Sequence, residues 1–126
     1  MNVKVKIWIE DESENLIFGG GKTEVLEYID QTGSIQEASK RVGMNYKKAW
    51  NHIRILQDYI SDELVIVSKG RSVGGTQLTP KAREVIQKYK TLKADINAFS
   101  EKRFEELFIE DGKAIFNEKP VVEDEI

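Results

Sequence analysis

Two amphipathic segments separated by a turn of about three residues most constrain the fold of this chain. Ser34 opens the first segment as a capping box, in which its oxygen accepts the Glu37 amide and the Glu37 carboxylate reaches back to the Ser34 amide. Gly43 permits a sharp turn because glycine adopts positive φ without steric cost. Asn45 is a favoured N-cap for the second segment, which we expect to be helical from about Tyr46 to Ile60. A short helix, a glycine turn and a longer helix form the helix-turn-helix pattern.

A β-hairpin with a basic, glycine-rich tip is predicted directly after this pattern. Two short strands, Leu64–Val67 and Thr76–Thr79, enclose a loop in which Lys69 and Arg71 flank a glycine. Helical hairpins are common in all-α cores, but a projecting hairpin after a helix-turn-helix is the more specific signal of a winged helix. The predicted fold class is therefore mainly α with a small β content, a winged helix-turn-helix.

Further elements are predicted on both sides of this region. Alternating apolar residues from Val3 to Ile9 predict a strand that pairs with Leu16–Phe18 in a leading hairpin, and a helix follows from about Lys22 to Gln31. Thr79-Pro80 is a strong helix start, so a long helix is expected to about Glu110. We expect a winged helix over residues 1–79, a long dimerisation helix over residues 80–110 and an acidic tail over residues 111–126.

The long helix carries an apolar seam that a domain of this size cannot cover alone. Its apolar positions recur at intervals of four and three, as in a coiled coil. We expect this helix to pair with a second copy across a two-fold axis, which makes the chain a homodimer. The predicted seam comprises Val85, Tyr89, Leu92, Ile96 and Phe99.

Charge is distributed unevenly, although the formal net charge is only −3. Residues 33–90 contain eleven basic and five acidic side chains, whereas both flanking regions are acidic. A basic middle provides an electrostatic footprint for phosphates, but blocks of like charge also occur by chance. Charge alone therefore leaves a nucleic-acid partner undecided.

The second helix of the helix-turn-helix has one apolar and one cationic face. Ala49, Ile53, Leu56 and Ile60 should face inward, and Trp50 is more typical of packing. A helix that enters the major groove needs donors and cations near its N-terminal half, whereas the alternative is a solvated surface. Together with the wing, this pattern favours double-stranded DNA as the partner. The predicted contacts are Asn45, Tyr46, Lys47, Lys48, Asn51 and Arg54 on the helix, and Lys69 and Arg71 on the wing.

Residue types for catalysis or metal binding are scarce. The chain has no cysteine, and His52 is the only histidine, without an acid placed for a triad or metal cluster. Gly21-Lys22-Thr23 imitates the end of a phosphate-binding loop, but Leu16 stands where that motif needs its first glycine. We therefore predict neither an enzyme nor a metal site. Without cysteine or an apolar run of secretory or membrane-spanning length, we expect a cytoplasmic protein with no membrane partner.

The run from Leu26 to Trp50 resembles the N-terminal DNA-binding domain of ModE-type molybdate-responsive regulators, winged-helix proteins akin to the LysR-type regulators. The similarity extends from about Val3 to Leu92, through the wing and Gln77-Leu78-Thr79-Pro80. It implies a transcription regulator that binds an inverted-repeat operator as a dimer, with Lys47 and Lys48 facing the groove. It further implies control of genes for molybdate uptake and molybdoenzymes.

Full-length members of that family carry C-terminal oxyanion-binding domains, for which this chain leaves no room after the trailing helix. We therefore expect no cofactor, and direct binding of an oxyanion such as molybdate or tungstate is the weaker alternative. For the function itself, the alternative is a winged-helix protein-interaction module that does not contact DNA. The acidic ends of the chain keep this alternative open.

Overall fold

The computed structural model describes residues 1–68, 75–117 and 119. The chain divides into two compact units, residues 7–91, here the winged-helix unit, and residues 1–6 with 92–126, here the terminal unit. The order of the elements confirms the predicted winged helix-turn-helix with a leading hairpin. In chain order they are β1 (Ile9–Glu10), β2 (Leu16–Phe18), α1 (Gly20–Thr32), α2 (Ile35–Val42), α3 (Tyr46–Ile60), β3 (Val65–Val67), β4 (Thr76–Leu78), α4 (Pro80–Phe108), β5 (Ile109–Glu110) and β6 (Lys113–Ala114).

The helix-turn-helix forms where its capping residues predict it. Ser34 Oγ accepts a hydrogen bond from the Glu37 amide at 3.1 Å. Asn45 caps α3 because its Oδ1 accepts a hydrogen bond from the Lys48 amide at 2.7 Å. Gly43 ends α2 with φ of 75°, a left-handed conformation that costs other residues about 1–2 kcal/mol. The expected second half of the capping box is absent, because the Ser34 amide donates instead to Thr32 Oγ1 at 3.2 Å. One side-chain cap therefore suffices to start α2.

The core of the winged-helix unit draws on all four helices. The predicted inward face of α3 is confirmed, since Ala49, Ile53 and Leu56 are at most 2% exposed. The first turns of α4 enter the same core, so this unit continues to residue 91, beyond the expected boundary at residue 79. The buried side chains of α1, α2 and α4 include Val25, Leu26, Ile29, Ile35, Ala38, Ala82 and Ile86.

The leading hairpin is shorter than its alternating sequence predicts. Residues 3–8 alternate between partly buried and exposed, as expected, but only Ile9–Glu10 forms a ladder with β2. The register shifts between Ile9 and Glu10, which pair with Phe18 and Leu16. A pattern of period two therefore identified the faces of this segment but not the extent of its pairing.

The terminal unit contains a small hairpin that the sequence analysis missed. The long helix was expected to reach about Glu110, but it ends at Phe108, and β5 pairs with β6 in antiparallel register. Asp111 and Gly112 connect the strands with φ of 51° and 78°, as type I′ turns require. The acidic tail therefore begins with ordered structure.

Aromatic stacking organises the end of α4 within this unit. The Phe104 and Phe108 rings stack at 5.5 Å between centroids, and Phe108 stacks on Phe116 at 5.3 Å. None of the unit's residues within 1–6, 92–117 and 119 is buried.

In the described part of the chain, no helix has the length and apolar character needed to cross a membrane.

Candidate nucleic-acid interface

The helix-turn-helix turns one face of α3 into the core and the other to solvent. Its cap and its inward residues fix the rotation of the helix, because α3 packs against α1, α2 and β2. All predicted contact residues on α3 consequently lie on the exposed side. They are Asn45, Tyr46, Lys47, Lys48, Asn51 and Arg54.

The exposed face of α3 carries three cations. Among the described residues, no ion pair involves Lys47, Lys48 or Arg54. The ion pairs that join α1 to α4 use other cations, with Arg83 at 2.7 Å from Asp30 and Lys90 against Glu27. Exposed cations that are not engaged in ion pairs contribute a positive potential that attracts phosphates. Lys47, Asn51 and Arg54 also share one stripe, because residues three and four apart lie on the same side of a helix.

Tyr46 and Trp50 form a hydrogen-bonded pair at the start of α3. The Trp50 indole Nε1–H donates to the Tyr46 hydroxyl oxygen at 2.8 Å. Trp50 is half-buried and packs against the core, as its sequence context indicated, whereas Tyr46 is 50% exposed. Both residues line a groove between the starts of α2 and α3 and the wing strands, together with Ser34, Gln36, Val67 and Thr76.

The base of the wing is fixed beside the helix-turn-helix. Val67 of β3 pairs with Thr76 of β4, and the Thr76 amide donates to the Gly33 carbonyl at 3.0 Å. The two predicted wing contacts, Lys69 and Arg71, lie outside the described residues. The described strands therefore place the base of the wing beside the groove at the start of α3.

The Gly-Lys-Thr sequence at the start of α1 is used inside the fold. The Lys22 side chain is buried, and its Nζ donates to the Leu16 and Ile17 carbonyls at 3.2 and 3.1 Å. Burial lowers the pKa of this ammonium. The Thr23 hydroxyl donates to the Gly19 carbonyl at 3.1 Å. Lys22 thus holds β2 against α1, whereas Thr23 bonds the N-cap of its own helix, and both side chains have other partners than a phosphate.

His52 lies on α3 with its Nδ1 buried and without a hydrogen-bond partner among the described residues. Burial, followed by the charges of Lys22 and Lys48, lowers the pKa of this imidazole below its ordinary 6.5. Protonation is therefore less favourable in the folded than in the unfolded chain. No group of three or more metal-ligating side chains occurs in the described part of the chain.

The free energy of unfolding should fall as the pH drops through and below 6.5, because the unfolded chain then binds a proton that folded His52 resists. The stabilisation from neutral His52 is complete above pH 6.5 and is lost as the pH falls through the lower pKa of His52 in the folded chain. We expect His52→Gln to flatten this part of a pH profile measured by urea unfolding. Asp11 and Glu84, whose pKa values are lowered from 3.8 and 4.5, act only at more acidic pH. An unchanged slope between pH 6.5 and 5 in the variant would contradict this prediction.

The predicted dimer seam on α4 divides into a covered and an exposed part. The structure corrects the prediction that Tyr89 belongs to the dimer seam. This side chain is 5% exposed and packs edge-on against Phe18, with 4.9 Å between the ring centroids. Val85 is partly buried against the same core. Leu92 and Phe99 remain exposed, at 41% and 63%, and Ile96 is partly exposed. The surface available for a partner therefore starts at Leu92.

Comparison with known proteins identifies relatives that match part of the chain. The chain is 36% identical over 84 residues to the molybdenum transport protein ModE of Azotobacter vinelandii, covering 66% of this chain and 31% of that protein. It is 33% identical over 72 residues to the transcriptional regulator ModE of Haemophilus influenzae, covering 56% and 28%. It is 30% identical over 79 residues to the molybdenum-pterin-binding protein MopB of Rhodobacter capsulatus, covering 62% and 29%. The match thus spans less than a third of each relative.

No protein-family model matches the chain. A solved structure of Vibrio fischeri DarR in complex with DNA covers 83% of this chain and 44% of its own, with a TM-score of 0.44 and 18% identity. That likeness is too distant to support an argument. The sequence relatives confirm the predicted resemblance: about two-thirds of this chain is homologous to part of the ModE-type molybdenum-related regulators, and the chain folds as a winged helix-turn-helix.

Proposed function

We propose that this chain is a sequence-specific DNA-binding transcription regulator of the cytoplasm, without enzymatic activity. The observation that carries the proposal is the exposed cationic face of α3 in a helix-turn-helix, whose Lys47, Lys48 and Arg54 form no ion pair with any described residue. The name of the Haemophilus influenzae relative, a transcriptional regulator, supports the same function. The target is proposed to be an inverted-repeat operator near genes for molybdate uptake or molybdoenzymes, in line with the relatives' names.

In the proposed complex, α3 lies in the major groove. Arg54 and Asn51 are suited to base edges, since arginine reads guanine and asparagine reads adenine with two hydrogen bonds each. Lys47 and Lys48 supply point charges for phosphates, which set the position of the protein on the duplex. The Asn45 oxygen is occupied by the helix cap, so its side-chain amide is left to donate. Lys69 and Arg71 would extend the contact from the wing to the backbone or the minor groove.

The test is binding of the full chain to labelled fragments of its own upstream DNA. At low salt we expect a retarded fragment, with an affinity that falls by about 0.9 log units per phosphate contact for each log unit of salt. We propose that DNA binding needs no cofactor, so addition of molybdate or tungstate should leave the affinity unchanged. A change of affinity with either oxyanion would refute only the proposal that no cofactor is needed. No retardation at low salt would refute DNA binding and favour the protein-interaction module.

The dimer is proposed to form through the exposed part of the α4 seam. Phe99→Glu should convert a sedimenting species of twice 14.4 kDa into a monomer, because it places a charge in an apolar contact. Ala98→Glu is the matched control, since Ala98 is exposed and lies outside the seam. A wild-type chain that sediments as a monomer, or two variants that both remain dimers, would contradict this interface.

A further inference from the structure

The hydrogen bond between Trp50 and Tyr46 fixes the polarity of the tyrosine hydroxyl. An indole N–H only donates, so the Tyr46 oxygen must be the acceptor of the 2.8 Å contact. The hydroxyl proton is consequently turned away from Trp50. Among the described residues, this O–H has no acceptor of its own. The exposed hydroxyl is thus a donor without a partner on the protein side that the structure describes.

The surroundings of this hydroxyl also present donors. Tyr46 shares its groove with Ser34 and Gln36 at the start of α2. The first amides of a helix have no carbonyl partner within it, and of these the Glu37 amide is taken by the Ser34 cap. An outward O–H beside the start of a helix fits a group that offers acceptors.

We propose that Trp50 is a positioning residue that commits the Tyr46 hydroxyl to donate to a phosphate oxygen of the DNA backbone. This inference rests on the proposed function and adds a role for a residue that does not itself reach the duplex. Accepting the indole hydrogen bond polarises the phenol and strengthens its O–H as a donor. A hydroxyl already held in place also loses less conformational freedom on binding. A hydrogen bond to a charged oxygen is stronger than one between neutral groups.

The test compares Tyr46→Phe, Trp50→Phe and the double variant on two mixed-sequence 20-bp duplexes, measured by fluorescence anisotropy at low salt. Tyr46→Phe should weaken binding roughly 5- to 20-fold, and Trp50→Phe somewhat less. The double variant should bind like Tyr46→Phe, because the indole acts only through the hydroxyl. Tyr59→Phe is the matched control: it deletes a hydroxyl at the other end of α3, where Tyr59 donates to Asp11 at 2.8 Å, and should leave affinity unchanged.

The double variant separates positioning from a structural effect of Trp50. If Trp50 acted only by supporting the fold, Trp50→Phe would cost the same affinity with or without the Tyr46 hydroxyl, and that result would overturn the inference. A loss restricted to one of the two duplexes would also overturn it, since contact with a base acceptor depends on sequence and contact with phosphate does not. Wild-type affinity in Tyr46→Phe would overturn the inference and leave the proposed function standing. Failure of the wild-type chain to bind either duplex would overturn both.

Discussion

Replacing Lys47, Lys48 and Arg54 together with alanine should abolish most of the affinity for DNA at 0.1 M salt. Each protomer then loses two phosphate contacts and one base contact. This lowers the slope of log affinity against log salt by about 1.8 per protomer and lowers affinity roughly 100-fold or more. These side chains are exposed and contribute nothing to the core, so the thermal midpoint should change little. Affinity measured over a series of salt concentrations checks both the loss and the change of slope.

A charge-matched control distinguishes this face from overall charge. Replacing the exposed residues Lys4, Lys6 and Lys113, which belong to the terminal unit, gives the same change in net charge from −3 to −6. This control should keep most of the wild-type affinity and slope. If both triple variants weaken binding equally, net charge and not α3 governs the association, and the recognition-helix assignment fails.

Leu56→Ala is expected to lower the free energy of unfolding by about 2–5 kcal/mol, because it leaves a cavity that the helices around it cannot fill completely. Leu56 is 2% exposed on the inward face of α3. Urea unfolding at a fixed protein concentration measures the effect. Because α3 is held by this core, DNA affinity should fall only to the extent that the folded fraction falls.

The adjacent Ile55 is the appropriate control, since its side chain is 37% exposed. Ile55→Ala removes part of an apolar side chain from the same helix but opens no enclosed cavity, so its cost should stay below about 1 kcal/mol. Equal destabilisation by the two substitutions would show that α3 does not pack with the rotation described above.

Local chemistry made the central part of the fold predictable. Ser34, Gly43 and Asn45 each specify a helix end through a single contact or backbone conformation, and the structure has these ends where the sequence predicts them. The inward face of α3 followed from its spacing of four and three. Asp111-Gly112 offered an equally local hairpin signal, but the acidic composition of residues 111–126 led us to predict a tail there.

Features that depend on contacts between distant parts of the chain could not be predicted from local sequence. Tyr89 sits in the periodic seam of α4, but whether it meets a partner or its own core depends on Phe18, far away in sequence. The Tyr46–Trp50 pair could have been noted from its spacing of four, yet its direction of donation required atomic positions. The point on α4, at Leu92, where the seam changes from covered to exposed thus emerged only from the complete packing.

The anchoring of the wing has a consequence for how such proteins diversify. The Ser68 amide closes the strand ladder on the Gly75 carbonyl at 2.6 Å, and the base of the wing is tied to the turn before α2. We therefore expect insertions or deletions between these two residues to leave the position of α3 unaltered, because the described contacts of the base lie outside the tip. Related chains with tips of other lengths should then keep the helix that we propose reads bases in the same place.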